Sequence, residues 1–469
     1  MSYMPPTDAM FLWAESREHP MHVGGLQLFI PPDELGPDFV SSMVDSWRDV
    51  EYVNPLYRKR PAEPVGTLGN TWWTYDDNID FDYHVRHSAL PQPRRVRELL
   101  ALTSRWHGAL LDRHRPLWEA HVVEGLADGR VALYTKIHHS MVDGVSALRL
   151  MQRSLSEDPD HRDGLPPWAM PPRKRAPQVE VGSATEIATV PKTRNPFSLV
   201  KAVGAAGSDA LSLIPGGLRV ASQIVKDSDL NLPSAPRTIL NGRVGGARRF
   251  AAQSWEIDRI KRVAKSSGTT INDVVLAMVS GALRDYLLEQ GALPDEPMSA
   301  MVPVSLALRA GGDNGGDGGN AVGAIVVNLA TDRADGATRL EEIAYSSRSS
   351  KRLLSSLSPT QILAYSAMQM FPLMLGPIPG SMKLTKPPFN VIVSNVPGPR
   401  NQMYFNGAKL DGLYPVSIVL DGQALNITLC SRDKYLDFGL IGCRKSVPHL
   451  QRLLTHLESA LAELELSWG

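Results

Sequence analysis

The stretch VALYTKIHHSMVDGVSALRLMQRSL, residues 131–155, decides the reading of this chain. VALYTKI alternates as a strand does, and it ends at His138, so two adjacent histidines sit where a strand runs out into a loop. DGVSALRLMQRSL then reads as a helix with Asp143 near its start. Within seven residues, HHSMVDG gathers two histidines, a carboxylate and a glycine. Histidine ordinarily titrates near 6.5, which suits proton transfer close to neutrality. Neutral His139 can take a proton from an alcohol and return it to a departing thiolate. One histidine is expected to face the reaction and the other to hydrogen-bond behind it. For Asp143 two roles stand open, a direct dyad with His139 or, as favoured here, a buried carboxylate paired with an arginine to fix the loop. Gly144 is expected to allow a close backbone approach or a positive φ.

Outward from this stretch the text is mixed α/β. HVGGLQLFI, FDYHVRHSAL, ELLALTSRWHGALL and WEAHVVEGL alternate strand and helix character before it. After about Arg248 come INDVVLAMVSGALRDYLLEQ, MSAMVPVSL, AVGAIVVNLA, FNVIVSNVPGPR, LNITLCSRDKYLDFGLIG and a terminal helix from Val447 to Leu466. A chain of 469 residues exceeds one ordinary core, which predicts a first domain over 1–155, a crossover linker over 156–241 and a second domain over 242–469. The linker is dense in proline and charge, but PFSLVKAVGAAGSDALSLIPGGLRVASQIV at 196–225 is apolar and broken at Pro215, Gly216 and Gly217. Two readings of it stand: a helix packed on the second domain, or an interfacial helix touching lipid.

Composition removes several classes. Lys plus Arg and Asp plus Glu both count 49, so no net field draws nucleic acid. With 43% hydrophobic and 21% charged residues the chain is globular. Cys430 and Cys443 lack CxxC or metal-ligand spacing and read as reduced thiols of a cytoplasmic protein. No secretory signal or spanning segment is read, so any membrane or lipid-droplet contact is expected to be peripheral. LDFGL at 436–440 has no accompanying kinase motifs, GxSxG is absent, and GGDNGGDGGN at 311–320 reads as a glycine-rich loop rather than a calcium turn. No histidine spacing suits zinc, and His107, His114, His161 and His449 stand alone or in polar loops.

HHSMVDG resembles the motif of CoA-dependent acyltransferases related to chloramphenicol acetyltransferase. Further segments narrow the resemblance to the bacterial wax ester synthase/diacylglycerol acyltransferase family: PTDAMFLWAES, HPMHVGGLQLF, RPLWEAHVVEGL, PRTILNGRVGGARRF, TTINDVVLA, PPFNVIVSNVPGPR and LNITLCSRDKYLDFGL. DFGL departs from the DFGWG of plant relatives. The resemblance implies two chloramphenicol-acetyltransferase-like domains with a tunnel between them and His139 as base. It implies no metal or other cofactor, with acyl-CoA and either diacylglycerol or a long-chain fatty alcohol as substrates. His138, Asp143 and Gly144 match the other motif positions. Asn272 and Asp273 match the family's ND motif, Ser394 and Asn395 its SNVPGP segment, and Glu15 and Trp118 its amino-terminal and PLW motifs, all assigned to the substrate side. Asn272 and Ser394 are equally readable as oxyanion donors or as buried cap or turn residues, and Trp118 as tunnel wall or core.

Overall fold

A computed structural model describes residues 1–63, 71–172, 234–305, 322–358, 361–362, 364–366, 368–369 and 386–469. The apolar segment at 196–225 and the glycine-rich loop at 311–320 lie outside the described residues. Fifteen described strands follow in chain order. They are β1 Ser2–Tyr3, β2 His22–Ile30, β3 Lys59–Ala62, β4 Trp72–Tyr75, β5 Val85–Ala89, β6 Trp118–Glu124, β7 Val131–His138, β8 Arg248–Glu256, β9 Ser299–Ser305, β10 Val322–Asn328, β11 Val391–Val396, β12 Tyr404–Phe405, β13 Ala408–Val416, β14 Leu425–Arg432 and β15 Tyr435–Cys443.

Two six-stranded sheets dominate, ordered β12-β13-β2-β7-β6-β5 and β10-β9-β11-β14-β15-β8. A small sheet, β1-β4-β3, stands apart from both. The alternation of β7 is real, but both its faces are covered. Ala132 and Tyr134 pack with Leu99 of the helix Val96–Gly108, whereas Leu133 and Ile137 join a core with Ala147 of the helix Gly144–Arg153. That sandwich holds the end of β7, and so His138, rigidly in place.

The expected domain boundaries need correction. Strands β12 and β13, from residues 404–416, leave the second half and complete the first sheet, β13 pairing with β2 from Lys409↔Ile30 to Val416↔Gly24. Sequence periodicity reports that a segment is a strand, not which sheet accepts it. The linker expected over 156–241 is also not free at its ends. Trp168 is 1% exposed in the first core, where its carbonyl accepts from Asn54 N at 2.7 Å, and Leu240 is fully buried in the second core. The proline-dense run supplies the turn Pro167–Ala169 that seats Trp168.

A buried clasp joins the lent strand to the second sheet. Asp437 of β15 accepts from Arg432 Nε at 2.9 Å, from the β13 amide of Leu413 at 2.7 Å and from Ser254 Oγ at 2.6 Å. Arg432 reaches the Asp411 carbonyl at 2.9 Å. Burial opposes the charge of Arg432, and Asp437 more than restores it, raising the guanidinium above its ordinary value. Gly439 permits the crossing, since a Cβ there would lie 1.9 Å from the Pro415 carbonyl oxygen. The second half otherwise wraps an aliphatic core around the helix Ile271–Glu289, whose central turns are buried on every side. Among the described residues no helix is long and apolar enough to cross a membrane.

Candidate active site

The two histidines of the motif have opposite surroundings. His138, the last residue of β7, is completely buried, and its two ring nitrogens have different surroundings. Its Nδ1 accepts from the Ser140 amide at 3.1 Å and meets Ser140 Oγ at 2.7 Å. The ring proton therefore belongs on Nε2, which faces Glu15 Oε1 at 3.2 Å. His139 is half-buried, its amide donating to the Met21 carbonyl at 2.8 Å and its ring stacked on Phe11 at 4.2 Å and 16°. Nδ1 is buried and finds no hydrogen-bond partner in another side chain. No described protein group bonds to Nε2, which leaves it for an incoming ligand. Burial lowers the His139 pKa to about 4, against a smaller upward pull from its own backbone carbonyl and from Asp143. The imidazole is therefore neutral, the form a general base needs.

Asp143 does not pair with an arginine among the described residues. It is the N-cap of the helix Gly144–Arg153, accepting from the Ser146 amide and Ser146 Oγ, both at 2.9 Å. The sequence already held this signal, for aspartate ahead of a helical run satisfies an otherwise orphaned N–H. Gly144 also departs from expectation. It has no positive φ, and an added Cβ would meet only Val23 Cγ1, at 3.9 Å. It is an ordinary first helical residue with open space beside it.

Glu15 was expected on the substrate side, but both its oxygens are taken by protein. Oε1 lies 3.2 Å from His138 Nε2 and accepts from the Met21 amide at 3.3 Å, and Oε2 accepts from Arg113 Nε at 3.2 Å and Nη2 at 3.0 Å. Burial opposes its ionisation, yet His138, the Met21 amide and Arg113 outweigh it and hold the carboxyl below its ordinary value. Trp118 is a core residue, 2% exposed, donating to the Tyr57 carbonyl at 2.8 Å and stacked between His84 and Trp168. Its edge lines a cavity with Gly24, Tyr57, Ile137, Ala147, Met151 and Trp168, to which Glu119, Thr135 and Lys136 add polar groups, between the sheet and the helix Gly144–Arg153.

The residues expected from the second half separate into two kinds. Asp273 forms a capping box, accepting at Oδ2 from Thr270 N at 3.0 Å and Thr270 Oγ1 at 2.7 Å while its own amide donates to Thr270 Oγ1 at 3.2 Å, and its Oδ1 is buried without a hydrogen-bond partner. Asn272 is half-buried, Ser394 is half-buried on β11, and Asn395 is exposed. None of these three side chains has a hydrogen bond among the described residues. The strand end beyond Asn395 reaches the motif's helix, because Val396 packs with Leu148 and Met151.

Sequence reasoning missed Phe11, Ser140 and Arg113 as parts of the site. It also missed a buried network on the same face of β7, where Lys136 Nζ meets Glu119 Oε2 at 3.3 Å and donates to the Trp106 and Ala109 carbonyls at 3.0 and 2.9 Å. His107, read as isolated, is buried between Tyr134 OH and the Ser417 carbonyl, each at 2.8 Å. Ser140 sits inside the motif two residues from His138, but the other partners have no local signal, since sheet pairing or helix packing brings them in.

Residues 4–275 match the family described as the wax ester synthase/diacylglycerol acyltransferase catalytic domain, and residues 318–465 match the WS/DGAT C-terminal domain. A Mycobacterium tuberculosis protein named "probable diacylglycerol O-acyltransferase" is 52% identical over the whole of both chains. The O-acyltransferase WSD of Acinetobacter baylyi is 43% identical across 99% of this chain and 97% of its own. The solved wax ester synthase/diacylglycerol acyltransferase of Marinobacter aquaeolei superposes with a TM-score of 0.79 at 40% identity, covering both chains fully. A peptide-synthetase condensation domain shares the fold alone, with a TM-score of 0.58 at 16% identity over all of this chain and 96% of the other. The chain belongs to the wax ester synthase/diacylglycerol acyltransferase family.

Proposed function

We propose that this protein transfers a fatty acyl group from acyl-CoA to the hydroxyl of diacylglycerol, with long-chain fatty alcohols as a second acceptor class. The observation that carries the proposal is the environment of His139, a neutral imidazole with Nε2 unspent, in a chain of this family. Nε2 takes the acceptor's hydroxyl proton as the oxygen attacks the thioester carbonyl. A tetrahedral oxyanion forms, its collapse breaks the C–S bond, and the imidazolium returns the proton to the CoA thiolate. Asn272 and Ser394 are the proposed oxyanion donors, supported by side chains that no described residue engages. The thioester supplies the driving force, so the proposal includes no metal or other cofactor. Work at a membrane or lipid droplet reached from the cytoplasm belongs to the same proposal, supported by the exposed side chains of Met1, Tyr3 and Trp13.

The test is product analysis with purified protein, palmitoyl-CoA and a choice of diacylglycerol, hexadecanol or an amine. Triacylglycerol or wax ester is expected, with CoA released in equal amount. His139→Ala should lower kcat by about 10²- to 10⁴-fold, the usual worth of a general base, while the protein stays folded. A near-normal rate in that variant overturns the assignment, and amide product alone overturns the acceptor class.

A further inference from the structure

The concealed side of the motif is held by a segment over a hundred residues away in sequence. The helix Pro6–Ala14 sends Phe11 against the ring of His139, and Glu15, which ends that helix, against the ring of His138. Glu15 also reaches His139 through one peptide unit: Met21 donates its amide to Glu15, and its carbonyl accepts the His139 amide. One carboxylate thus restrains both histidines, His138 by its ring and His139 by its backbone.

A carboxylate whose side chain is only 2% exposed is costly unless paired. Its partner, Arg113, lies in the loop between the helix Val96–Gly108 and β6, and one guanidinium does two things. Nε and Nη2 meet Glu15 Oε2, and Nη2 also donates to the Leu12 carbonyl at 2.6 Å, fastening the end of the helix that carries Phe11. Arg113 touches neither histidine. We propose that Arg113 is a positioning residue for the reaction: it keeps the Glu15 carboxylate fixed against His138 Nε2 and keeps Phe11 seated on the base. The inference rests on His139 as the base and adds the device that orients it.

The experiment compares wild type, Arg113→Met, Arg113→Lys and His139→Ala in the full chain, using palmitoyl-CoA and diacylglycerol from pH 6 to 9. Arg113→Met should lower kcat on the order of tenfold with KM changed less than about twofold, because the loss falls on the reacting geometry rather than on binding. Arg113→Lys should recover most of the rate, since it restores the charge. The charged groups facing Glu15 are His138 of β7, Arg113 of the loop and, at longer range, Lys136 of β7. Without Arg113, Glu15 gains a proton more readily, so the deficit should deepen toward pH 6 and shrink toward pH 9. The Arg113 side chain is 45% exposed, so its loss opens no core cavity, and Arg113→Lys, which keeps a partner for Glu15, is the variant that stays folded if Arg113→Met does not. A wild-type kcat and pH profile in Arg113→Met overturns the inference, as does a loss matching only the fraction of unfolded protein by circular dichroism. His139→Ala is read separately: its activity decides the base, and Arg113→Met decides the positioning.

Discussion

The two six-stranded sheets are built from similar elements and differ in what they bury. The first conceals Lys136, Glu119, His121, His22 and His138 on β2, β6 and β7, with His107 packed against them. The second surrounds its central helix with a mostly apolar core, and of its buried charged groups, which include Arg248, Asp273 and Arg339, the pair Asp437 with Arg432 is aimed at the strand it lends to the first sheet. Buried polar groups stabilise little by themselves but permit few alternative arrangements when every partner is in place. The first sheet is therefore the one that fixes side-chain orientation around the motif. The second contributes apolar mass, and through β13 it closes the first sheet beside β2.

Asp437→Ala strikes the junction between them and has the largest expected effect on stability. It leaves Arg432 charged and buried, and orphans the Leu413 amide, so the cost should be about 3–5 kcal/mol. Urea unfolding measures it. The loss should appear as an early transition of the first sheet together with lost activity, although Asp437 is far from HHSMVDG in sequence. A cost under about 1 kcal/mol would mean that β13 is held by its pairing with β2 alone.

Acid separates the two sheets less severely. Burial lowers His107 to about 3 from an ordinary value of 6.5, so it stays neutral in the folded chain while the unfolded chain takes up its proton first. Its contribution is complete above pH 6.5 and is lost as pH falls from 6.5 toward 3. At pH 5.5, one unit into that window, the loss from this residue should be about 1.4 kcal/mol. His22, which burial also holds well below its ordinary value, acts in the same direction. The base behaves otherwise: with His139 at about 4, the acid limb of kcat/KM should fall near pH 4 rather than 6.5. Short assays at pH 5.5 should thus find protein that is active but melts earlier. An acid limb near 6.5 would place His139 in a wetter site than its stack on Phe11 describes.

What the sequence disclosed follows the range of each interaction. The strand, loop and helix around HHSMVDG, the mixed α/β class and the helix at Asn272 rest on local periodicity and capping, and local patterns carry them. β13 and its destination were invisible, because AKLDGLYPV at 408–416 alternates only at its start, shifts register between Leu410 and Gly412 and then runs buried on both faces. Glu15 was located by resemblance, but its role was not, since its partners Arg113 and His138 lie about a hundred residues further on. Lys136 was hidden differently. A lysine in a strand ordinarily marks a solvent face, and here the Trp106 and Ala109 carbonyls with Glu119 replace that solvent.

Asp143 offers the smallest effect and the finest distinction within the motif. If its work is to cap the helix Gly144–Arg153, Asp143→Ala removes two hydrogen bonds to Ser146 and should cost about 1 kcal/mol, with kcat reduced only a few-fold as the loop behind His139 loosens. Asp143→Asn keeps an acceptor for the Ser146 amide and removes the charge. It should recover the stability while moving the acid limb slightly lower, because Asp143 supplies part of the upward pull on His139. A catalytic dyad makes the opposite demand: Asn would then fail as badly as Ala, both near the level of His139→Ala, and melting temperature would not track the loss. The cap geometry favours the first pattern, since both carboxylate oxygens point along the helix they start and neither bonds to the ring of His139.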